Sequence, residues 1–135
     1  MRIDYALIAD YAEINGGKLY LMGGGWDTFR GKQVPMPVRV AVAVGVRLEW
    51  SETNSPVPVR VTVEDDDGQG LVRADGTLNV GRPPHLPPGS SQLAQVAMNL
   101  QVVLPAYRGY RVQVSAGEGD SAVTIALPFR LVPQP

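Results

Sequence analysis

The chain has 135 residues, a formal net charge of -1 and no cysteine. That length suits one domain with a core of its own. The even charge, without a basic stripe, argues against nucleic acid, whose phosphates dominate such binding, and the lack of cysteine removes disulfides, thiolate metal sites and a cysteine nucleophile.

Met1-Arg2-Ile3-Asp4-Tyr5 shows no basic stretch followed by an apolar run, and Asp4 and Asp10 interrupt any signal-peptide core. No window approaches the ~20 apolar residues that span a bilayer. The expectation is a cytoplasmic protein with no membrane and no nucleic-acid partner.

In chain order, Ile3, Tyr5, Leu7, Ala9 and Tyr11 alternate and are expected on one face of a first strand. Asn15-Gly16 suits a tight hairpin turn, returning through Lys18 to Met22. Gly23-Gly24-Gly25 ends or bulges that strand before Trp26. Thr28 to Pro37 reads as a connection, because Pro35 and Pro37 discourage helix and central strand. From Val38 to Trp50 the alternation is strict. Val38, Val40, Val42, Val44, Val46, Leu48 and Trp50 fall on one side, with Arg39, Ala41, Ala43, Gly45, Arg47 and Glu49 between them. Such a strand must lie in a sheet whose apolar face another layer covers.

Val57, Val59, Val61 and Val63 mark the next strand. Asp67-Gly68 signals a second hairpin into Leu71-Val72, and Asp75-Gly76 a third into Leu78-Asn79-Val80. A proline-rich loop, Gly81 to Ser91, leads to a long strand carrying Ala94, Val96, Met98, Leu100, Val102 and Leu104. Its apolar spacing fits a period of two better than that of a helix. Tyr110, Val112 and Val114, then Val123, Ile125, Leu127, Phe129 and Leu131, finish the chain. About eight short strands with regular turns imply an all-β fold, an antiparallel β-sandwich, immunoglobulin-like or C2-like. Gly109-Tyr110 at the head of a late strand suits either a tyrosine corner, whose phenol reaches back to the bend, or a plain core aromatic.

Several segments are familiar together: Asp4-Tyr5-Ala6-Leu7, Gly16-Gly17-Lys18-Leu19-Tyr20-Leu21-Met22-Gly23-Gly24-Gly25-Trp26-Asp27, Glu52-Thr53-Asn54, Val80-Gly81-Arg82-Pro83-Pro84, Leu86-Pro87-Pro88-Gly89-Ser90 and Leu127-Pro128-Phe129. They resemble a domain-of-unknown-function family of small bacterial proteins, over nearly the whole chain. The resemblance implies a bacterial all-β domain. It implies no activity, and it carries over no functional residue.

Motifs for chemistry fail one by one. Gly23-Gly24-Gly25 has Thr28 where a dinucleotide fingerprint needs its last glycine, and Gly31-Lys32 is followed by Gln33 rather than Ser or Thr. An EF-hand starting at Asp65 would place Gly76 where the bidentate glutamate belongs. Calcium could still sit in loops at one end, using Glu64 to Asp67 with Asp75, Glu118 and Asp120. His85 is the only histidine, and neither Ser90 nor Ser91 sits in a nucleophile elbow. Pro84 and Pro87 have polyproline-ligand spacing, but Arg82 is poorly placed for that role, so a stiff crossover or a docking loop fits better. Tyr5, Tyr11, Tyr20 and Trp26 could form a sugar platform only if exposed in a row.

No cofactor, no metal site and no catalytic residue are expected. The leading expectation is a non-enzymatic structural or protein-interaction module that self-associates as a homo-oligomer or repeating assembly. Charged residues make up only 19% of the chain, against a typical ~25%, leaving strand edges with little to blunt them. The surface expected to carry this is Tyr5, Tyr11 and Trp26 with the loop residues Arg82, Pro83, Pro84, His85 and Leu86. The alternative is a carbohydrate- or calcium-binding sandwich.

Overall fold

The computed structural model describes residues 1–135. Its strands are β1 (Arg2–Asn15), β2 (Lys18–Gly24), β3 (Thr28–Gly31), β4 (Met36–Leu48), β5 (Val57–Asp65), β6 (Gly70–Leu78), β7 (Gln92–Leu104), β8 (Gly109–Ala116) and β9 (Val123–Pro133). Two sheets form, ordered β2-β1-β4-β7 and β3-β9-β8-β5-β6. They stack as a sandwich around the valines. Val40, Val42, Val44 and Val46 of β4 face Val59, Val61 and Val63 of β5 and Val112 and Val114 of β8, all buried in one cluster. Each such side chain gains roughly 1.5–3 kcal/mol by leaving water.

The connections are those of an immunoglobulin sandwich. β4 and β7 take the places of strands B and E, and β9, β8 and β5 those of G, F and C. Tyr110 makes the tyrosine corner. Its hydroxyl donates to the Ala106 carbonyl at 2.5 Å and accepts from the Ala106 N–H at 3.2 Å. Its ring stacks on Phe129 at 5.6 Å. Two residues on, at the place of the second cysteine of antibody domains, stands the buried Val112. No strand lies outside β7, where strand D of a constant-type domain would be. The loop 79–91 joins β6 to β7 directly and is held at Trp50 and Thr53 by Arg82.

Four local expectations change. The connection after Trp26 contains β3, which pairs with β9 in parallel, so the sandwich has a ninth strand and one parallel ladder. Pro37 lies inside β4, opposite Val103. Asp75-Gly76 is not a turn; β6 runs through it in register with β5, and Gly76 keeps out of the left-handed region. Asp75 faces Arg60 across the ladder, and both Arg60 and Arg73 donate to its carboxylate at 3.0 and 2.9 Å. Those bonds suit an extended strand. Finally, a bulge between Ile3 and Tyr5 splits the face expected for β1. Ile3 pairs with Val46 and packs on the core, whereas Tyr5, Leu7 and Ala9 pair with Gly45, Ala43 and Ala41 on the outer face.

That outer face is covered. Gly16 and Gly17 take φ of +59° and +75° and close the β1–β2 hairpin, as two left-handed central residues should. The far half of the hairpin leaves the plane and lies across β4 towards β7. Asn99 of β7 clasps the Ala12 backbone, donating to its carbonyl at 2.9 Å and accepting from its N–H at 3.3 Å. The Gln95 amide donates to the Gly17 carbonyl at 2.8 Å. Beneath lies a second small core of Ala9, Ala12, Ala41 and Ala43, flanked by Tyr5, Leu19, Leu21 and Ala97. The small residues of β4 are thus a seat for the hairpin. At Gly45 any side chain would strike the Tyr5 ring.

Candidate interaction surface

Four strands end the two sheets: β2 and β7 in one, β3 and β6 in the other. Edge strands offer unpaired backbone groups to any other chain, and proteins blunt them with charge, proline, shortness or irregularity. β3 has only 4 residues. β6 carries Arg73 and Asp75 on its outer face, bonded to each other. β2 has only 7 residues, and its pairing with β1 is interrupted at Gly23, whose φ is +63°, before Gly24 pairs with Ala9. β7 has none of these protections. It runs for 13 residues, Gln92-Leu93-Ala94-Gln95-Val96-Ala97-Met98-Asn99-Leu100-Gln101-Val102-Val103-Leu104, without a charge or a proline. It pairs only with β4, and no hydrogen bond of the protein reaches its other flank.

The two faces of β7 differ. Ala94, Leu100, Val102 and Leu104 are buried in the core. The outer face carries Leu93, Gln95, Ala97, Asn99, Gln101 and Val103, and its two large apolar groups stand out, Leu93 at 40% and Val103 at 55% exposure. Beside Val103 lies a shallow groove of 290 Å³, floored by Pro37, Val38, Arg39 and Gln101. Sequence reading placed none of these residues on its expected interaction surface. The signal was the run of uncharged residues; that no further strand joins β7 is visible only in three dimensions.

The residues singled out from sequence lie in four separate places. Tyr5 rests on Gly45 with its hydroxyl on the Gln95 side chain, and burial pushes the phenol above its ordinary value. Tyr11 is exposed on the solvent side of the hairpin, opposite Met22 and near Tyr20. Trp26 crosses from one sheet to the other and packs edge-on against Phe29 and Phe129, at 4.3 and 6.4 Å between ring centres. Arg82 is spent on its own chain. It donates to the Trp50 carbonyl and the Thr53 hydroxyl, both at 2.7 Å, and its guanidinium lies 4.5 Å above the Trp50 ring. Pro83 to Leu86 form a turn, closed by Leu86 N–H to the Pro83 carbonyl at 3.0 Å, with Pro83 and Pro84 exposed and Leu86 half-buried. That turn interrupts any polyproline helix across Pro84 and Pro87. His85 sits at its tip, exposed.

The acidic tip is occupied as well. The Asp65 carboxylate accepts from the Asp67 and Gln69 N–H groups at 2.9 and 3.0 Å, and Arg108 reaches Asp65 and Asp67 at 3.6 and 3.1 Å. The Arg111 guanidinium and the Gln113 amide hold the Glu64 carboxyl below the usual carboxylate range. Nowhere do three metal-ligating side chains of the His, Cys, Asp and Glu type come together. Glu118 and Asp75 line one polar groove on the far sheet with Arg60 and Ser115, and there Asp75 is already held by its two arginines. No helix is long and apolar enough to cross a membrane.

Fold and surface together define an immunoglobulin-like β-sandwich with an extra hairpin laid over one sheet and one bare edge. A family of unknown function, DUF6941, matches residues 4–130, and the chain belongs to that family. No curated protein sequence matches it. Among solved structures it is similar to a member of glycosyl hydrolase family 2 from Bacteroides cellulosilyticus DSM 14838, with a TM-score of 0.55 and 10% identity. The match covers 94% of this chain but only 15% of that one, and at this identity it speaks for the sandwich alone.

Proposed function

We propose that the protein is a non-enzymatic interaction module that associates with copies of itself through a sheet edge, in the bacterial cytoplasm. The observation that carries this is β7, the longest of the four edge strands and the one with neither charge nor proline. A bare edge gains main-chain hydrogen bonds from an added strand, and side chains alternating on its two faces supply the selectivity. The β6 edge on the same flank is guarded by charge, so the lack of protection at β7 is local. Sedimentation or light scattering from low to high micromolar concentration tests the reading. A mass rising to that of a dimer supports it, and a constant monomer mass overturns it.

A second reading, a carbohydrate-binding sandwich, is favoured by one feature. Tyr11, Tyr20 and Met22 share the exposed side of the hairpin, with Glu13 between them as a hydrogen-bonding group. Tyrosine fluorescence titrated with a panel of oligosaccharides checks it; saturable change lost in Tyr20→Ala supports it, and no change at millimolar sugar removes it.

A further inference from the structure

Resting on the self-association just argued, we infer its register: β7 pairs antiparallel with β7 of a second copy about a twofold axis at Met98, joining two sheets into one of eight strands. Met98 is the midpoint of the 13-residue strand, so this register pairs every residue of β7. It is also the register in which the side chains answer each other. Leu93 falls opposite Val103 of the partner subunit, and Val103 opposite the partner's Leu93. Gln95, whose amide is held by Tyr5 and Gly17 of its own chain, falls opposite Gln101 of the partner subunit, and Ala97 falls opposite the partner's Asn99. On the inner face Val96 meets Leu100 of the partner subunit and Ala94 meets the partner's Val102.

Neighbouring registers are worse by the same measure. Moving the axis by one residue sets Leu93 against Gln101 in one direction and carries it past the end of the strand in the other. Moving it by half that distance opposes residues of different faces, because a one-residue slip turns every side chain over. Only the register at Met98 covers both exposed apolar groups at once, and it sets the partner's Leu93 beside the groove next to Val103. Directly opposed apolar pairs on a sheet each add roughly 0.2–1 kcal/mol.

Charge and area point to the same occupant. No charge lies between Gln92 and Leu104, so two copies of this strand meet without like charges opposed. The strand supplies 13 residues per copy. A stable interface uses roughly 20–30 a side, so the expected dimer is reversible, with dissociation in the micromolar range. The hairpin grips β7 through the Gln95 and Asn99 side chains and lines a groove beside Val96 and Ala97, but it takes none of the β7 backbone hydrogen bonds.

The chain has no cysteine, so introduced thiols report cleanly. Leu93→Cys and Val103→Cys are made as separate variants and treated with a short thiol cross-linker, alone and mixed. In the proposed register, opposed Cβ atoms lie about 4.5–5.5 Å apart. Identical positions of the two copies lie about ten residues apart along the strand, roughly 33 Å. The mixture therefore gives a cross-linked dimer, and neither variant alone does. If the wild type dimerises but the mixture fails to cross-link, or either variant cross-links by itself, the register is wrong while the self-association stands. A wild type that stays monomeric throughout overturns both.

Discussion

β6 and β7 flank the same side of the sandwich, one in each sheet, and end their sheets in opposite ways. They meet where Gly76 leaves room for the Met98 side chain. Outside, β6 shows Arg73 and Asp75, tied to each other and to Arg60. β7 shows glutamine, alanine, asparagine and two bare apolar groups. Both edges face water under the same fold constraints, so the fold does not require β7 to be bare. Within one sandwich, then, charged groups line one edge strand and none lines the other.

The largest effect tests whether β7 is a firm part of the sandwich, as an edge used for assembly must be. Leu100 points inward from β7 and is 7% exposed. Leu100→Ala should cost about 2–5 kcal/mol in urea unfolding, the usual range for a leucine cavity that cannot collapse. A cost under about 1 kcal/mol would show β7 to be loosely held and would weaken the contrast with β6.

Next, the contrast can be erased from either side. Val103→Lys gives β7 the kind of protection β6 has. It should abolish the dimer in sedimentation while changing monomer stability by less than about 0.5 kcal/mol, since the side chain points to solvent. Loss of folding instead would mean that Val103 supports the monomer. Conversely, Arg73→Thr with Asp75→Thr strips the guard from β6. Light scattering should then report association beyond the dimer, because each copy would carry a second bare edge. An unchanged mass would show that something other than charge keeps β6 unpaired.

How far the residues announced this arrangement depends on which face they occupy. The valines of β4, β5 and β8 declare the sandwich because strict alternation leaves them one place to go. Tyr110 declares its corner because a phenol at the head of that strand can reach the bend. The outer face of β4 was harder to read. Ala41, Ala43 and Gly45 look unremarkable in sequence, and they make sense only once the hairpin lies on them. The bulge after Ile3 carries no residue signature, yet it sends Tyr5 to the opposite side. β3 is too short to show a period. Asp75-Gly76 has the composition of a turn and is held straight by Arg60 and Arg73, which arrive from different points in the sequence. The surface loop 82–86 drew notice for its prolines, whereas the bare edge has no motif at all. Its mark is the absence of charge along a strand that nothing pairs with.

The smallest expected effect concerns the guard itself. Arg60 and Arg73 hold the Asp75 carboxyl below its ordinary value of 3.8. A carboxyl whose folded pKa is depressed stabilises the fold at pH above the unfolded value and ceases to do so as pH falls through the folded value. The window therefore opens below about pH 4. Asp75→Asn should lower Tm slightly at neutral pH, and the gap to wild type should close on acidification. These groups are about half exposed, so the gap stays small and shrinks further in salt. A gap constant from neutral pH to well below the carboxylate range would assign it to packing instead of charge. Protonation removes only the negative partner, however. Arg60 and Arg73 remain as unpaired cations beside the β6 ladder, so acid should not open that edge, and self-association should stay confined to β7 across the whole titration.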